Sequence, residues 1–208
     1  MGNQKLAIIG LTGGIGSGKS TISRLLALRG GHILDADEIN HGQMRPGMHA
    51  YREIVKQFGK RILLPSGEID RRGLASVVFG DETLLQTLVD ITHGHVIAAT
   101  VLAIEALQTD NQGHRFIVID APLLIEANMH AICDAVWVVV SDDETRVARV
   151  MARDNLSREQ VLSRMQKQIP QAALAGYADC LLDNNGGFDA LERQVNDGLR
   201  RLGLEELT

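Results

Sequence analysis

The sequence predicts an α/β fold, a doubly wound five-stranded parallel sheet, on two observations. Short apolar runs alternate with helix-patterned segments along the chain, and a glycine-rich loop joins the first apolar run to the first helix pattern. Leu6 to Leu11 is a continuous apolar run, as a strand buried on both faces requires. After the glycine-rich loop, Ile22, Leu25, Leu26 and Leu28 mark a helix that Gly30-Gly31 stops. His32 to Asp35 reads as a second strand. From Met48 to Gln108 the pattern is mostly helical, broken at Gly59, Pro65 to Gly67, and Gly80-Asp81. Phe116 to Ile119 is a third strand, ended by Asp120-Ala121-Pro122, and Ala135 to Val140 a fourth. A charged helical stretch over 142–167 closes at Pro170, with Ser157 and Gln160 spaced as a capping box inside it. Cys180 to Leu182 is the fifth strand, and the last helix covers about 188–202. With no internal repeat or linker, one core with two insertions fits this order. Residues 1–40, 113–142 and 171–208 form the core, 41–112 a helical insertion and 143–170 a second insertion.

The 208 residues are 45% hydrophobic and carry 21 Lys+Arg against 26 Asp+Glu, a net charge of −5. That is ordinary for a globular protein large enough to bury a core without disulfides. The mild acidity argues against wrapping duplex nucleic acid. Cys133 and Cys180 sit far apart in apolar runs, the pattern of buried reduced thiols. No stretch is expected to reach the eighteen or so apolar residues of a membrane span. The start Met1-Gly2 lacks a basic-then-apolar leader, and Leu6 stands where a myristoylation signal wants Ser or Thr. The expectation is a cytoplasmic protein.

The strongest chemical signal is Gly13-Gly14-Ile15-Gly16-Ser17-Gly18-Lys19-Ser20, a complete G-x-x-x-x-G-K-[ST] between strand and helix. Glycines let the backbone curl so that successive N–H groups point at a phosphate, and the following helix adds its positive dipole end. Lys19 supplies a cation to the β- and γ-phosphates, and the Ser20 hydroxyl can ligate Mg²⁺. The loop fixes nucleotide-phosphate binding but not the reaction. None of the five lysines (Lys5, Lys19, Lys56, Lys60, Lys167) follows an asparagine, so the Asn-Lys-x-Asp guanine reader of regulatory GTPases is missing. Small-molecule kinases are the favoured class, and the fold type becomes that of a P-loop kinase with a helical substrate domain and a lid.

Three further groups bear on the chemistry. Asp35 and Asp37 follow the second strand, where ligands of doubly wound sheets bind. Two apart, they share a face if the segment is extended; one can cap the next helix while the other acts as a base. Asp120 ends the third strand, either holding a Mg²⁺-bound water or simply closing a turn. Arg146, Arg149 and Arg153 lie at i, i+3 and i+7 on one helix face, with Arg164 and Lys167 beyond. They form either a flap of cations over a transferring phosphoryl group or a solvated surface helix.

Taken together, Leu11 to Ser20, Asp35-Ala36-Asp37, Pro122-Leu123-Leu124-x-Glu126, the arginine segment ending Arg164-x-x-x-Gln168, and Asp183-Asn184-Asn185-Gly186 resemble the dephospho-CoA kinase family over about residues 5–190. The resemblance implies transfer of the γ-phosphoryl group of MgATP to the 3′-hydroxyl of dephospho-CoA. Carried over by residue, Gly14, Ile15, Gly16, Ser17, Gly18, Lys19, Ser20 and Thr21 hold the ATP phosphates, and Asn184 and Gly186 the adenine side. Asp37 is the general base, and Lys19 and Arg149 contact the reacting groups. Thr12, Leu74, Phe79, His93, Arg153 and Arg164 lie on the acceptor side, and Ser20 and Asp120 on the metal. The chain departs from the family pattern at His41, Gly94 and Arg146, where arginine, proline and glutamine are usual.

Small molecules are the expected partners, with no nucleic acid and no membrane, in a monomer or small homo-oligomer. Two rival functions remain: a kinase for another small hydroxyl acceptor, of nucleoside monophosphate or shikimate type, and a P-loop binding module without a kinase activity.

Overall fold

The structure, a computed structural model, describes residues 5–204; the Met1-Gly2 start and the last four residues of the C-terminal core segment lie outside the described residues. The chain divides into two compact units, one of residues 1–34 and 107–208 and the other of residues 35–106.

In the first unit β1 (Ala7–Gly13), β2 (Gly31–Asp35), β3 (Phe116–Asp120), β4 (Ala135–Val140) and β5 (Cys180–Asp183) form a sheet in the order β2-β3-β1-β4-β5. β1 pairs in parallel with both β3 and β4, with Leu11 opposite Asp120 and Gly13 opposite Val139. That register explains the unbroken apolar run of β1: Ile8 and Ile9, on opposite faces of a central strand, are both buried. α1 (Lys19–Leu28) packs Ile22, Leu25 and Leu26, and α9 (Phe188–Arg201) packs Leu191, Val195 and Leu199, into one core with Trp137 and Phe116. Gly198 is the point of closest approach: a Cβ there would lie 2.7 Å from the Trp137 ring.

The charged stretch becomes two helices, α6 (Asp143–Asp154) and α7 (Arg158–Met165), separated at Asn155, whose φ is 53°. The Ser157–Gln160 capping box is present. Val147, Val150 and Val161 join the pair, and Ile15 of the glycine-rich loop packs against them. A short α8 (Gln171–Ala175) follows Pro170; sequence patterning ended the helical segment there and missed it, five residues being too few to show a period.

The second unit holds α2 (Ala36–Gln43), α3 (His49–Phe58), α4 (Arg71–Val78) and most of α5 (Glu82–Thr109). Its core is Ile54, Phe58, Ile62, Ile69, Leu74 and Val78, with Leu84, Leu88 and Ile91 of α5 packed on it. At 28 residues, with an 18-residue window of mean hydropathy 1.5, α5 is long and apolar enough by length and composition to cross a membrane. The expectation was of no such stretch; isolated Thr, Gln and His side chains interrupt this one and lower its average, which still reaches 1.5. α5 supplies Leu84, Leu88 and Ile91 to the core of its own unit, while 17% of the apolar window is buried.

Candidate active site

The glycine-rich loop leaves the C-terminal end of the central strand and turns directly into α1. Gly18, the residue before the helix, has φ 93°, and a Cβ on it would collide with the Asn184 side-chain nitrogen. Only glycine combines that backbone angle with that approach. Buried loop carbonyls need donors, and α6 and the β5 loop supply them to Ile15, Gly16 and Ser17. Arg146 Nε donates to Ile15 O at 3.0 Å. Arg149 donates to Gly16 O and Ser17 O, both at 3.4 Å, to Asn184 O at 2.9 Å and to Ser141 Oγ at 3.1 Å. Asn184 Nδ2 donates to Ser17 O at 2.8 Å. Two guanidinium groups therefore lie on the carbonyl side of the loop.

Lys19 and Asp120 are brought together: the ammonium is ion-paired with the carboxylate at the end of β3. Ser20, one residue on, is exposed at the start of α1. A hydroxyl and a carboxylate are hard oxygen donors of the kind Mg²⁺ takes together with phosphate oxygens, so this pair fits the metal. Among the described residues no cluster of three His, Cys, Asp or Glu could hold an ion by itself.

The two aspartates after β2 take different roles. The Asp35 side chain accepts from Asp37 N at 2.8 Å and Glu38 N at 3.0 Å, and so caps α2. Asp37 lies inside the first turn of α2, exposed and without a side-chain partner among the described residues. This corrects the shared-face expectation, because the chain turns helical between the two.

Four other expectations are redrawn. Thr12 is wholly buried, and its hydroxyl donates to Pro122 O at 3.3 Å. It ties the Pro122 loop to β1 and leaves no surface for an acceptor. Leu74 is a core side chain of the helical unit, not a contact surface, whereas Phe79 is 83% exposed. The arginine stripe drifts around its helix. Arg146 is buried and Arg149 half-buried, while Arg153 is exposed and held by Asp154 at 2.7 and 2.9 Å. Arg164 reaches the same Asp154 at 3.6 Å, and hydrogen bonding from Arg153 holds that carboxyl below its usual range. Asn184 is a strut to the loop as well as part of the β5 turn, and Gly186 lies beside it near Ala190. His93 is half-buried in α5.

Sequence reasoning did not single out Ser141 or Asn185. Asn185 Oδ1 accepts from Asp142 N at 2.8 Å and lies 3.1 Å from Ser141 Oγ, so the β5 turn caps the start of α6. The doubled Asn184-Asn185 after a strand was the only signal for it. Both thiols are free; burial pushes Cys133 up to about 12 and raises Cys180, as inert packing cysteines require.

Comparison with known proteins places this geometry. A family model described as dephospho-CoA kinase matches residues 7–190. The chain is 42% identical to a dephospho-CoA kinase of Carboxydothermus hydrogenoformans over 91% of each protein. It is 44% identical to one from Geobacter sulfurreducens, covering 91% of this chain and 95% of that one. Among solved structures, one from Thermus thermophilus is 33% identical with a TM-score of 0.77, covering 96% of this chain and 99% of its own. A dephospho-CoA kinase from Campylobacter jejuni (24% identical, TM-score 0.69, covering 94% of this chain and 96% of its own) shares the fold.

Proposed function

The chain belongs to the dephospho-CoA kinase family and catalyses ATP-dependent phosphorylation of dephospho-CoA; from that premise we propose how its residues divide the work. The observation that carries the reading is the complete phosphate loop with Lys19 and Asp120 paired at its mouth.

ATP lies with its phosphates in the loop from Gly14 to Thr21. Lys19 neutralises the oxygens on which charge grows as the bond from the γ-phosphorus to ADP lengthens. Ser20 and Asp120 would hold Mg²⁺, which would supply further charge neutralisation on the phosphate oxygens. Asp37, exposed because Asp35 takes the capping role, accepts the proton of the ribose 3′-hydroxyl during its attack. Arg149 keeps the loop in its binding shape from the carbonyl side, and Asn184 with Gly186 borders the adenine. Arg153 and Arg164, exposed on α6 and α7 and both paired with Asp154, would exchange that carboxylate for acceptor phosphates. Phe79 and His93, on the helical unit, are the side chains that meet the CoA portion. The protein works in the cytoplasm on small molecules, as a monomer or small homo-oligomer.

An ADP-release assay, run with dephospho-CoA, shikimate, a nucleoside monophosphate or no acceptor, tests the assignment. ADP release dependent on dephospho-CoA alone is expected. Equal release with every acceptor, or with none, would contradict it.

A further inference from the structure

Ile15 is gripped through both of its flanking peptide groups by the segment that follows β4. Its N–H donates to Gln168 Oε1 at 2.8 Å, and its carbonyl accepts from Arg146 Nε at 3.0 Å. The Ile15 side chain packs with Val147, Val150 and Val161. Arg146 is itself fixed: it is 5% exposed, and its Nη1 donates to Asp143 at 3.0 Å. Gln168 is fixed by the turn after α7, where its N–H donates to Met165 O at 3.1 Å. A Cβ on the preceding Gly14 would meet both gripping side chains, colliding with the guanidinium of Arg146 and lying 3.5 Å from Gln168 Oε1.

This grip has a consequence for the loop. A phosphate loop works because its N–H groups are aimed before the ligand arrives. The Ile15 N–H is taken out of that set by Gln168, which fixes the Gly14–Ile15 peptide, while Arg146 fixes the next one, the Ile15–Gly16 peptide that carries the Gly16 N–H. We propose that Gln168 is a positioning residue for ATP: through the Ile15 N–H it holds the phosphate loop in its nucleotide-binding shape, with Arg146 as its counterpart on the carbonyl. The site residue thus lies 153 positions from the peptide it orients. Arg146, in place of the family's usual glutamine, is in this reading the second half of the clamp.

The inference rests on the kinase reading for its kinetic form, and nucleotide binding tests it separately. Gln168→Met keeps the side-chain length and removes the acceptor; Gln168→Glu keeps an oxygen beside the Ile15 N–H, with Arg146 at hand to offset the charge. Arg158→Ala removes an exposed pair with Glu144 on the same two helices, away from the loop, and serves as the control. Thermal melting identifies the folded protein, and calorimetry gives the ATP dissociation constant of that fraction in the absence of acceptor. Gln168→Met is expected to weaken ATP binding, and to raise KM for ATP, about tenfold, with KM for dephospho-CoA unchanged. Gln168→Glu is expected to recover most of the loss, and Arg158→Ala to match the wild type. Unchanged ATP affinity in folded Gln168→Met overturns the proposal, as does a Gln168→Glu protein no better than the methionine variant. A merely structural glutamine would lower the melting temperature and leave both constants alone. If the wild type binds ATP but phosphorylates no dephospho-CoA, the kinase reading fails while the calorimetric comparison still decides the clamp.

Discussion

Lys19 of the phosphate loop and Asp120 at the end of β3 form an ion pair, their side chains 19% and 8% exposed. Neighbouring parallel strands bring them together: β1 feeds the loop that carries Lys19, and the register sets Leu11 beside Asp120. The pair keeps a partly buried cation and carboxylate compensated.

Lys19→Ala is expected to lower turnover on the order of 10²-fold or more with the far-ultraviolet dichroism unchanged, as loss of a preorganised charge does. Because Asp120 shares the site, the double variant Lys19→Ala/Asp120→Ala is expected to lose less than the product of the two single effects. Steady-state kinetics of the four proteins checks both statements; near-normal turnover in folded Lys19→Ala would count against the phosphate-loop assignment.

The two aspartates after β2 separate stability from chemistry. Asp35→Ala deletes the cap of α2 and is expected to cost about 1 kcal/mol in urea denaturation. Asp37→Asn is expected to leave stability and ATP affinity nearly unchanged and to lower turnover roughly 10²–10⁴-fold, the span of general-base contributions. The reverse pattern, full activity in Asp37→Asn and none in Asp35→Asn, would exchange the roles.

Leu74 and Phe79 make a matched pair in the helical unit. Leu74→Ala opens a cavity in that core and is expected to cost about 2–5 kcal/mol, with KM for dephospho-CoA unaltered in the protein that remains folded. Phe79→Ala removes an exposed ring, so stability should hold while KM for dephospho-CoA rises. Denaturation curves and acceptor titrations of the two variants read this contrast.

His32 and His114 face each other with ring nitrogens 3.0 Å apart, and burial, followed by the charge of His114, lowers the pKa of His32. A lowered imidazole pKa means the unfolded chain binds the proton more tightly. The stability is therefore present above the unfolded value of about 6.5 and is lost as pH falls through that value towards the folded one. The urea midpoint should drop between pH 7.5 and 5.5, and His32→Gln should flatten that slope. An unchanged slope in the variant would remove His32 from the account.

Much of the fold could be read from the letters because it rests on periodicity. The fourth strand, the apolar run from Ala135 to Val140, falls where the structure puts β4, since a strand buried on both faces leaves few polar residues to blur its ends. The phosphate loop was legible because its glycines are needed for backbone geometry. The roles of Thr12 and Leu74 were not, since a family pattern marks a position without telling contact from packing. Arg146 shows a different limit. It stood out as a departure from the usual glutamine, yet it shares a helix face with Val147 and Val150, and that apolar face already pointed inward. The spacing of Asp35 and Asp37 left cap and base in either order, and the family resemblance named Asp37 as the base; the start of α2 at Ala36 shows that Asp35 is the carboxylate tied down.

The most direct test follows the transferred phosphoryl group. Incubating the protein with MgATP and dephospho-CoA and recording the phosphorus resonances of the product should show a new phosphomonoester on the ribose 3′-oxygen, formed in step with ADP. Release of inorganic phosphate without that ester, or an ester at another hydroxyl, would contradict the account.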